Sequence, residues 1–113
     1  MTCDPYDVVE VPFPFSDSQQ RKIRKALVLS NRSYNDANQA SILAMITSAR
    51  AGSWLGDVPV SDLKTAGLKK SCVVRLKIFT LDNAIIMAKA GSLSEADRKQ
   101  VKKVLREELI SNA

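Results

Sequence analysis

Residues 7–15, Asp7-Val8-Val9-Glu10-Val11-Pro12-Phe13-Pro14-Phe15, decide the fold class, because Val9, Val11, Phe13 and Phe15 recur at every second position. That period places them on one face of an extended segment and predicts a first β-strand. Pro12 and Pro14 carry no amide donor, so the strand is expected at a sheet edge or bent by a bulge around Pro12. Working outward, Ser16 to Lys22 is polar throughout and predicts a mobile loop. Arg24 to Ser30 contains Ala26-Leu27-Val28-Leu29, and Ser41 to Ser48 contains Ile42-Leu43-Ala44-Met45-Ile46. Both are short apolar runs between polar residues and predict central strands. Asn31 to Asn38, between them, is rich in turn formers and predicts a loop.

Ala49 to Lys70 contains Gly52, Gly56, Gly67 and Pro59, which limits strands there to brief ones such as Val58 to Val60. Ser71 to Thr80 alternates again, with Val74, Leu76 and Ile78 on one face and Val73, Arg75, Lys77 and Phe79 on the other. One face is therefore basic and partly aromatic. Leu81 to Lys89 fits a helical turn or a short strand, and Gly91 is expected to end it. Ser94 is a good N-cap, with Glu95 and Asp97 in the first turn where the helix dipole favours anions. Behind it Val101, Val104, Leu105 and Leu109 form an apolar stripe, while Arg98, Lys99, Lys102, Lys103 and Arg106 lie mostly away from it and read as a solvated face. The pattern is mainly β with a C-terminal amphipathic helix packed on the sheet.

At 113 residues, 45% hydrophobic and 26% charged, the chain suits one globular domain over 1–113. Apolar runs such as Ile42–Ile46 reach only five residues, and Met1 to Pro5 is neither basic nor apolar, so no membrane span or signal peptide is expected. Cys3 and Cys72 are too few for a disulfide framework or a four-thiolate zinc site, which points to a reducing cytoplasm. Seventeen Lys and Arg against twelve Asp and Glu leave a net charge of +5, favouring polyanionic partners. There is no histidine, which removes imidazole acid–base chemistry and the commonest metal ligand.

Three groups of residues suit chemistry. Arg21-Lys22-Ile23-Arg24-Lys25 packs four cations into five residues. Such a cluster repels itself unless an anion is near, and arginine clasps phosphate through two parallel hydrogen bonds; the alternative is a solvated charged turn. Thr47 and Ser48 emerge from the apolar run and could donate to a phosphate, orient a ribose oxygen, or simply cap the strand. Arg75 sits among apolar neighbours and needs a carboxylate, a carbonyl or a ligand. Trp54, between Gly52 and Gly56, reads as a plug on the small core or as a base-stacking platform.

Taken in order, Asp7-Val8-Val9-Glu10-Val11-Pro12-Phe13-Pro14-Phe15-Ser16-Asp17, Arg24-Lys25-Ala26-Leu27-Val28-Leu29-Ser30 and Met45-Ile46-Thr47-Ser48-Ala49 resemble the MazF/PemK toxins of type II toxin–antitoxin systems. The likeness continues through Gly56-Asp57-Val58-Pro59-Val60, Ala66-Gly67-Leu68, Ser71-Cys72-Val73-Val74-Arg75, Phe79-Thr80-Leu81-Asp82 and Gly91-Ser92-Leu93-Ser94, nearly the whole chain. The resemblance implies a small SH3-like barrel of antiparallel strands with a C-terminal α-helix, as in CcdB and PemK. It further implies a homodimer that cuts single-stranded RNA sequence-specifically through the 2′-hydroxyl, without metal or cofactor, and is neutralised by a cognate antitoxin. By position it implies catalytic roles for Arg24, Thr47 and Arg75 and a substrate contact at Ser48. Arg21, Lys25, Asp17 and Lys77 complete the expected substrate-binding set.

Two positions depart from the family pattern. Lys25 replaces the proline that usually follows the arginine, and Lys77 stands where some members place an aspartate, a proposed base. Both departures point to a weakened enzyme, with Asp17 the candidate base instead. The rival readings are a non-catalytic, CcdB-like poison of DNA gyrase and a basic nucleic-acid-binding module. The second is supported by the charge and weakened by having only six aromatics, Tyr6, Phe13, Phe15, Tyr34, Trp54 and Phe79.

Overall fold

A computed structural model describes residues 1–13 and 22–111. The end of the first predicted strand at Pro14 and Phe15, and the predicted loop as far as residue 21, lie outside the described residues. The elements run β1 (Asp7–Phe13), β2 (Lys22–Val28), α1 (Arg32–Asn38), β3 (Ala40–Ser48), β4 (Val58–Pro59), α2 (Leu63–Ala66) and β5 (Cys72–Asp82). A 3-10 turn (Asn83–Ile85), β6 (Ala88–Ser92) and α3 (Glu95–Val104) complete them, α3 continuing into a wider π turn (Leu105–Leu109). The strands form one antiparallel sheet in the order β4-β5-β3-β2-β1-β6, curled into a half-barrel with the C-terminal helix against it.

The centre of the sheet is apolar on both faces because both are covered. Val8, Leu27, Ala44, Ile46 and Val74 point into one core, with Ala66 of α2 and Val101 of α3. Their chain neighbours Val9, Val28 and Leu43 point into a second core with Val11, Ala26, Leu81 and Cys3. Period-2 alternation thus sends 8 and 9, 27 and 28, and 43 and 44 to opposite cores, which is why the runs read as continuously hydrophobic.

β1 is not the expected edge strand. It lies between β2 and β6, and its bulge falls between Val8 and Val9 rather than at Pro12. Pairing with β6 ends at Glu10↔Ala88. Glu10 turns its carbonyl to the Met87 amide on that side, and Pro12, two residues on, faces the same way past the last rung, where no donor is required.

The Asn31–Asn38 segment is a helix, not a loop. Asn35 is fully buried, and its amide donates to the Cys3 and Ser30 carbonyls at 3.0 and 3.1 Å. The Ser30 hydroxyl donates to the Asn35 side-chain oxygen, and Asn83 donates to the Asn35 carbonyl at 2.8 Å. A polar anchor replaces the apolar stripe, so no hydrophobic period announced the helix. Gln39, at φ 51°, closes it in the left-handed region.

The unassigned stretch resolves into the end of β5, the 3-10 turn and the start of β6. Gly91 lies inside β6 and does not end the segment. A Cβ there would sit 2.5 Å from the Thr65 carbonyl oxygen, and one on Gly67 would sit 2.2 Å from that of Ala90. The backbones of α2 and β6 therefore touch where only glycine fits. On α3, Val101 is buried and Val104 and Leu105 pack on the first core, but Leu109 is half exposed. The π turn, closed by the Ile110 amide on the Leu105 carbonyl at 2.8 Å, rotates the stripe away from the sheet. From the cationic face, Arg98 and Lys102 fold back over the Tyr6 ring at 5.6 and 5.7 Å.

Asp97 fastens α3 to the segment between β4 and α2. Ser94 caps the helix by accepting from the Asp97 amide at 3.2 Å. The Asp97 carboxylate accepts from the Ser61 amide at 3.0 Å, the Ser61 hydroxyl at 2.6 Å and the Asp62 amide at 3.1 Å. Burial pushes this carboxyl up, but the donors of Ser61, Asp62 and Ser94 together hold it below its ordinary range. Asp97→Ala is therefore expected to cost about 3 kcal/mol in urea denaturation, since it strands buried donors. The folded carboxyl titrates below its unfolded value of about 3.9. Its contribution is thus present above that value and disappears as pH falls through the lower, folded one. The gap between wild type and variant should close in acid; a gap independent of pH would remove ionised Asp97 from this role.

Candidate functional site

The β2–β3 ladder has only the rungs Ala26↔Met45, Leu27↔Ala44 and Val28↔Leu43. Beyond Ala26 the two strands part, β2 staying with β1 as far as Phe13↔Lys22 and β3 staying with β5 as far as Ser48↔Cys72. Between them opens a cavity of 540 Å³. Arg24, Lys25, Thr47, Ser48, Arg75 and Lys77, expected from the sequence as site residues, all line it. Asp17 and Arg21 lie outside the described residues. Phe13, Met45 and Cys72 contribute an apolar floor, and Lys70 adds a cation that the sequence reading passed over.

β5 reaches this wall through a two-residue bulge. Ala44 faces Ile78 but Met45 faces Arg75, leaving Leu76 and Lys77 unmatched. One extra residue would reverse the faces of the strand, whereas two preserve them. Val74 and Ile78 therefore stay with the first core and Phe79 with the second, while Arg75 and Lys77 face the cavity.

The cavity carries five cations, Arg24, Lys25, Lys70, Arg75 and Lys77, and no described carboxylate lines it. Lys25 reaches Glu10 across the β1–β2 rung at 3.4 Å. The Lys77 ammonium lies 5.9 Å from the centre of the Phe13 ring. Among the described residues, Arg24 and Lys70 have no carboxylate within 4.0 Å. Arg24 is exposed and Thr47 half-buried, and the Thr47 hydroxyl makes no hydrogen bond among the described residues. Ser48 caps the following turn, its hydroxyl accepting from the Arg50 amide at 3.2 Å, and it remains free to donate.

Arg75 has a carboxylate partner in the chain. Its Nε donates to Asp57 Oδ1 at 3.1 Å and its Nη2 to Oδ2 at 2.9 Å. Nη2 also donates to the Gly52 carbonyl at 3.0 Å, and Nη1 reaches the Ala51 carbonyl at 3.5 Å. One N–H of five is left for the cavity. The paired guanidinium holds the Asp57 carboxyl below its ordinary range against the opposing effect of burial, and Asp57 in turn holds Arg75 above its own. Asp57 was not among the residues singled out, because a buried arginine signals a need for a carboxylate without saying which one the fold delivers.

Trp54 is not a plug on the core. It is 49% exposed and lies on the Arg75 guanidinium, 5.0 Å from ring centre to Cζ. A flat, weakly hydrated cation offers the indole a partner outside the apolar interior. Burial pushes the Cys72 thiol above its ordinary range, with Lys25 pulling the other way, so this cavity cysteine is held as a thiol. Among the described residues no group of three or more His, Cys, Asp or Glu is placed to hold a metal ion, and no helix is long and apolar enough to cross a membrane.

A family model described as a PemK-like, MazF-like toxin of type II toxin–antitoxin systems matches residues 4–109. No curated protein matches in sequence. A MazE–MazF complex from Deinococcus radiodurans superposes with a TM-score of 0.75 at 19% identity, covering 98% of this chain and 100% of that one. MazF from the same organism gives 0.71 at 21% identity over 93% and 94% of the two chains. An endoribonuclease in complex with its cognate antitoxin, from a mycobacterial species, gives 0.69 at 13% identity over 92% and 89%.

Trp54 is the sole tryptophan, so its emission reads the Asp57–Arg75 clamp directly. Asp57→Ala is expected to free the 51–57 segment, shift the emission to the red and raise quenching by acrylamide. An unaltered spectrum would mean that the carboxylate does not hold the indole in place.

Proposed function

The chain belongs to the PemK-like, MazF-like toxin family of type II toxin–antitoxin systems, and from that premise we propose that it is a metal-independent endoribonuclease. Its substrate on this reading is single-stranded RNA, cut sequence-specifically by attack of the 2′-hydroxyl on the adjacent phosphate in the groove between β2 and β3. The carrying observation is that Arg24 and Thr47, remote in sequence, line one cationic cavity with no described carboxylate on its walls.

The reaction needs a proton taken from the 2′-hydroxyl, stabilisation of charge on the pentacoordinate phosphorane, and a proton given to the departing 5′-oxygen. Arg24, exposed and without a carboxylate partner among the described residues, does the second task, worth roughly 3 to 4 kcal/mol for a well-placed donor. Thr47 positions the attacking or bridging oxygen with a hydroxyl that has no partner among the described residues. Arg75 adds its one remaining N–H from a fixed position, the clamp on Asp57 preventing it from swinging. Ser48, Lys25 and Lys77 hold flanking phosphates, and Arg21 joins them by its place in the basic cluster. An arginine hardly gives up its proton near neutrality, so the base is assigned to Asp17 by sequence position, and water gives the proton to the departing 5′-oxygen in place of a side-chain acid. With Lys77 where some members carry an aspartate, the enzyme is expected to be slow, since one missing proton-transfer partner forfeits about 10²- to 10⁴-fold. The active form on this reading is a homodimer in the cytoplasm, and a cognate antitoxin neutralises it.

The purified chain incubated with a long single-stranded RNA in EDTA should give discrete products ending in 2′,3′-cyclic phosphate. RNA that is retarded but intact would replace this reading with a binding module, and no interaction at all would favour a protein target. Arg24→Ala should lower cleavage by about 10²- to 10³-fold without altering the melting temperature, because the side chain is exposed; retained activity would remove it from the site. With no histidine in the chain, the rate against pH should show no limb near the unperturbed imidazole value of about 6.5. A clear inflection there would contradict the assigned groups.

A further inference from the structure

A second cavity, also 540 Å³, is lined by Ser48, Ala49, Arg50, Lys70 and Ser71. It shares Ser48 and Lys70 with the first, so the two cavities adjoin at those residues. From Met45 to Ser48 the floor strand alone advances roughly 10 Å at about 3.3 Å per residue, and the Arg50 basin extends beyond it. The groove is longer than a single phosphate needs.

The basin walls are ordered by the backbone. The Ala49 amide donates to the Ser71 carbonyl at 3.2 Å, and the Ala51 amide to the Ser48 carbonyl at 3.0 Å. Its chemistry is uniform: two cations, two hydroxyls and one methyl, with no described carboxylate and no aromatic ring. Among the described residues neither Arg50 nor Lys70 has an ion-pair partner. Arg32, Lys89, Lys99 and Lys103 are answered by Asp4, Asp7, Glu95 and Glu107; other cations, Lys22, Lys64 and Lys69 among them, also have no ion-pair partner among the described residues, but Arg50 and Lys70 share the wall of one cavity adjoining the first. Two cations on one cavity wall, unanswered among the described residues and flanked by hydroxyl donors, suit an anionic backbone, and the lack of a stacking surface makes the basin indifferent to base identity.

We propose that Arg50 and Lys70 form a sequence-neutral phosphate subsite that holds the RNA strand next to the cleavage position, so that the substrate is an extended strand rather than a dinucleotide. This rests on the endoribonuclease reading and adds two residues to its substrate path. The test measures binding of a short 2′-O-methyl oligoribonucleotide, which lacks the attacking hydroxyl, across a range of salt concentrations. For a single strand each phosphate contact contributes about 0.7 to the slope of log K against log salt. The double variant Arg50→Gln, Lys70→Gln should therefore lose about 1.4 of slope, each single variant about half of that, and equally for oligonucleotides of different sequence. Lys99→Gln with Lys103→Gln removes the same net charge from α3 and should leave the slope unchanged. Both basin residues are exposed, and thermal melting checks that each variant is folded.

An unchanged slope in the basin variants, or an equal loss in the α3 control, overturns the subsite. So would an unchanged RNA slope accompanied by weaker retention of poly-glutamate, which would give the basin to an acidic protein segment. If the wild-type chain neither binds nor cuts RNA, the endoribonuclease reading itself falls. If it cuts RNA while the slopes stay equal, only the subsite does.

Discussion

The groove exists because the β2–β3 ladder stops at Ala26↔Met45. Each strand keeps its other neighbour, so the sheet does not unravel, but the backbone groups facing one another across the gap have no strand partner. The residues beyond the last rung explain the parting. Continuing the register would set Lys25 against Ile46 and Arg24 against Thr47, pairs that offer neither an opposite charge nor a matched apolar contact.

Rigidity on the far wall is supplied by the Arg75 guanidinium. It joins β5 to the 51–57 segment through Asp57 and Gly52 and carries Trp54 on its face. An arginine so engaged makes a poor proton donor and a good fixed charge. On the proposed reading the labour divides: Arg24, exposed and without a carboxylate partner among the described residues, is the adaptable charge, whereas Arg75 is the fixed one.

How much of this was legible in the sequence depended on the kind of force involved. The strands and the capped C-terminal helix were readable because apolar burial leaves a period of two or a stripe, and Ser94 and Asp97 mark a helix start by their own chemistry. The convergence of Arg24, Thr47, Ser48 and Arg75 on one cavity followed from their resemblance to a known toxin family, not from spacing, since nothing local tells which strand ends become neighbours. What stayed hidden was held by polar or geometric means. Helix α1 hangs on one buried amide, Asn35; the rotation of Leu109 away from the sheet comes from a single wider turn; Asp57 became the partner of Arg75 only through the path of its loop. Pro12 misled for a related reason, since its missing donor matters on one side of β1 only, and on that side no described strand pairs with it.

The close approach of Gly67 to Ala90, and of Gly91 to Thr65 and Ala66, bears on how the molecule meets others of its kind. β6 is the outermost strand of the sheet beyond β1, and an outermost strand offers a template onto which foreign chain can zip. At Ala90–Gly91 the α2 backbone already lies against it, closer than any side chain would permit. That rim is sealed by main chain packed on main chain, a protection against runaway polymerisation that needs neither a charge nor a proline, and that a single methyl group at either glycine would pry apart.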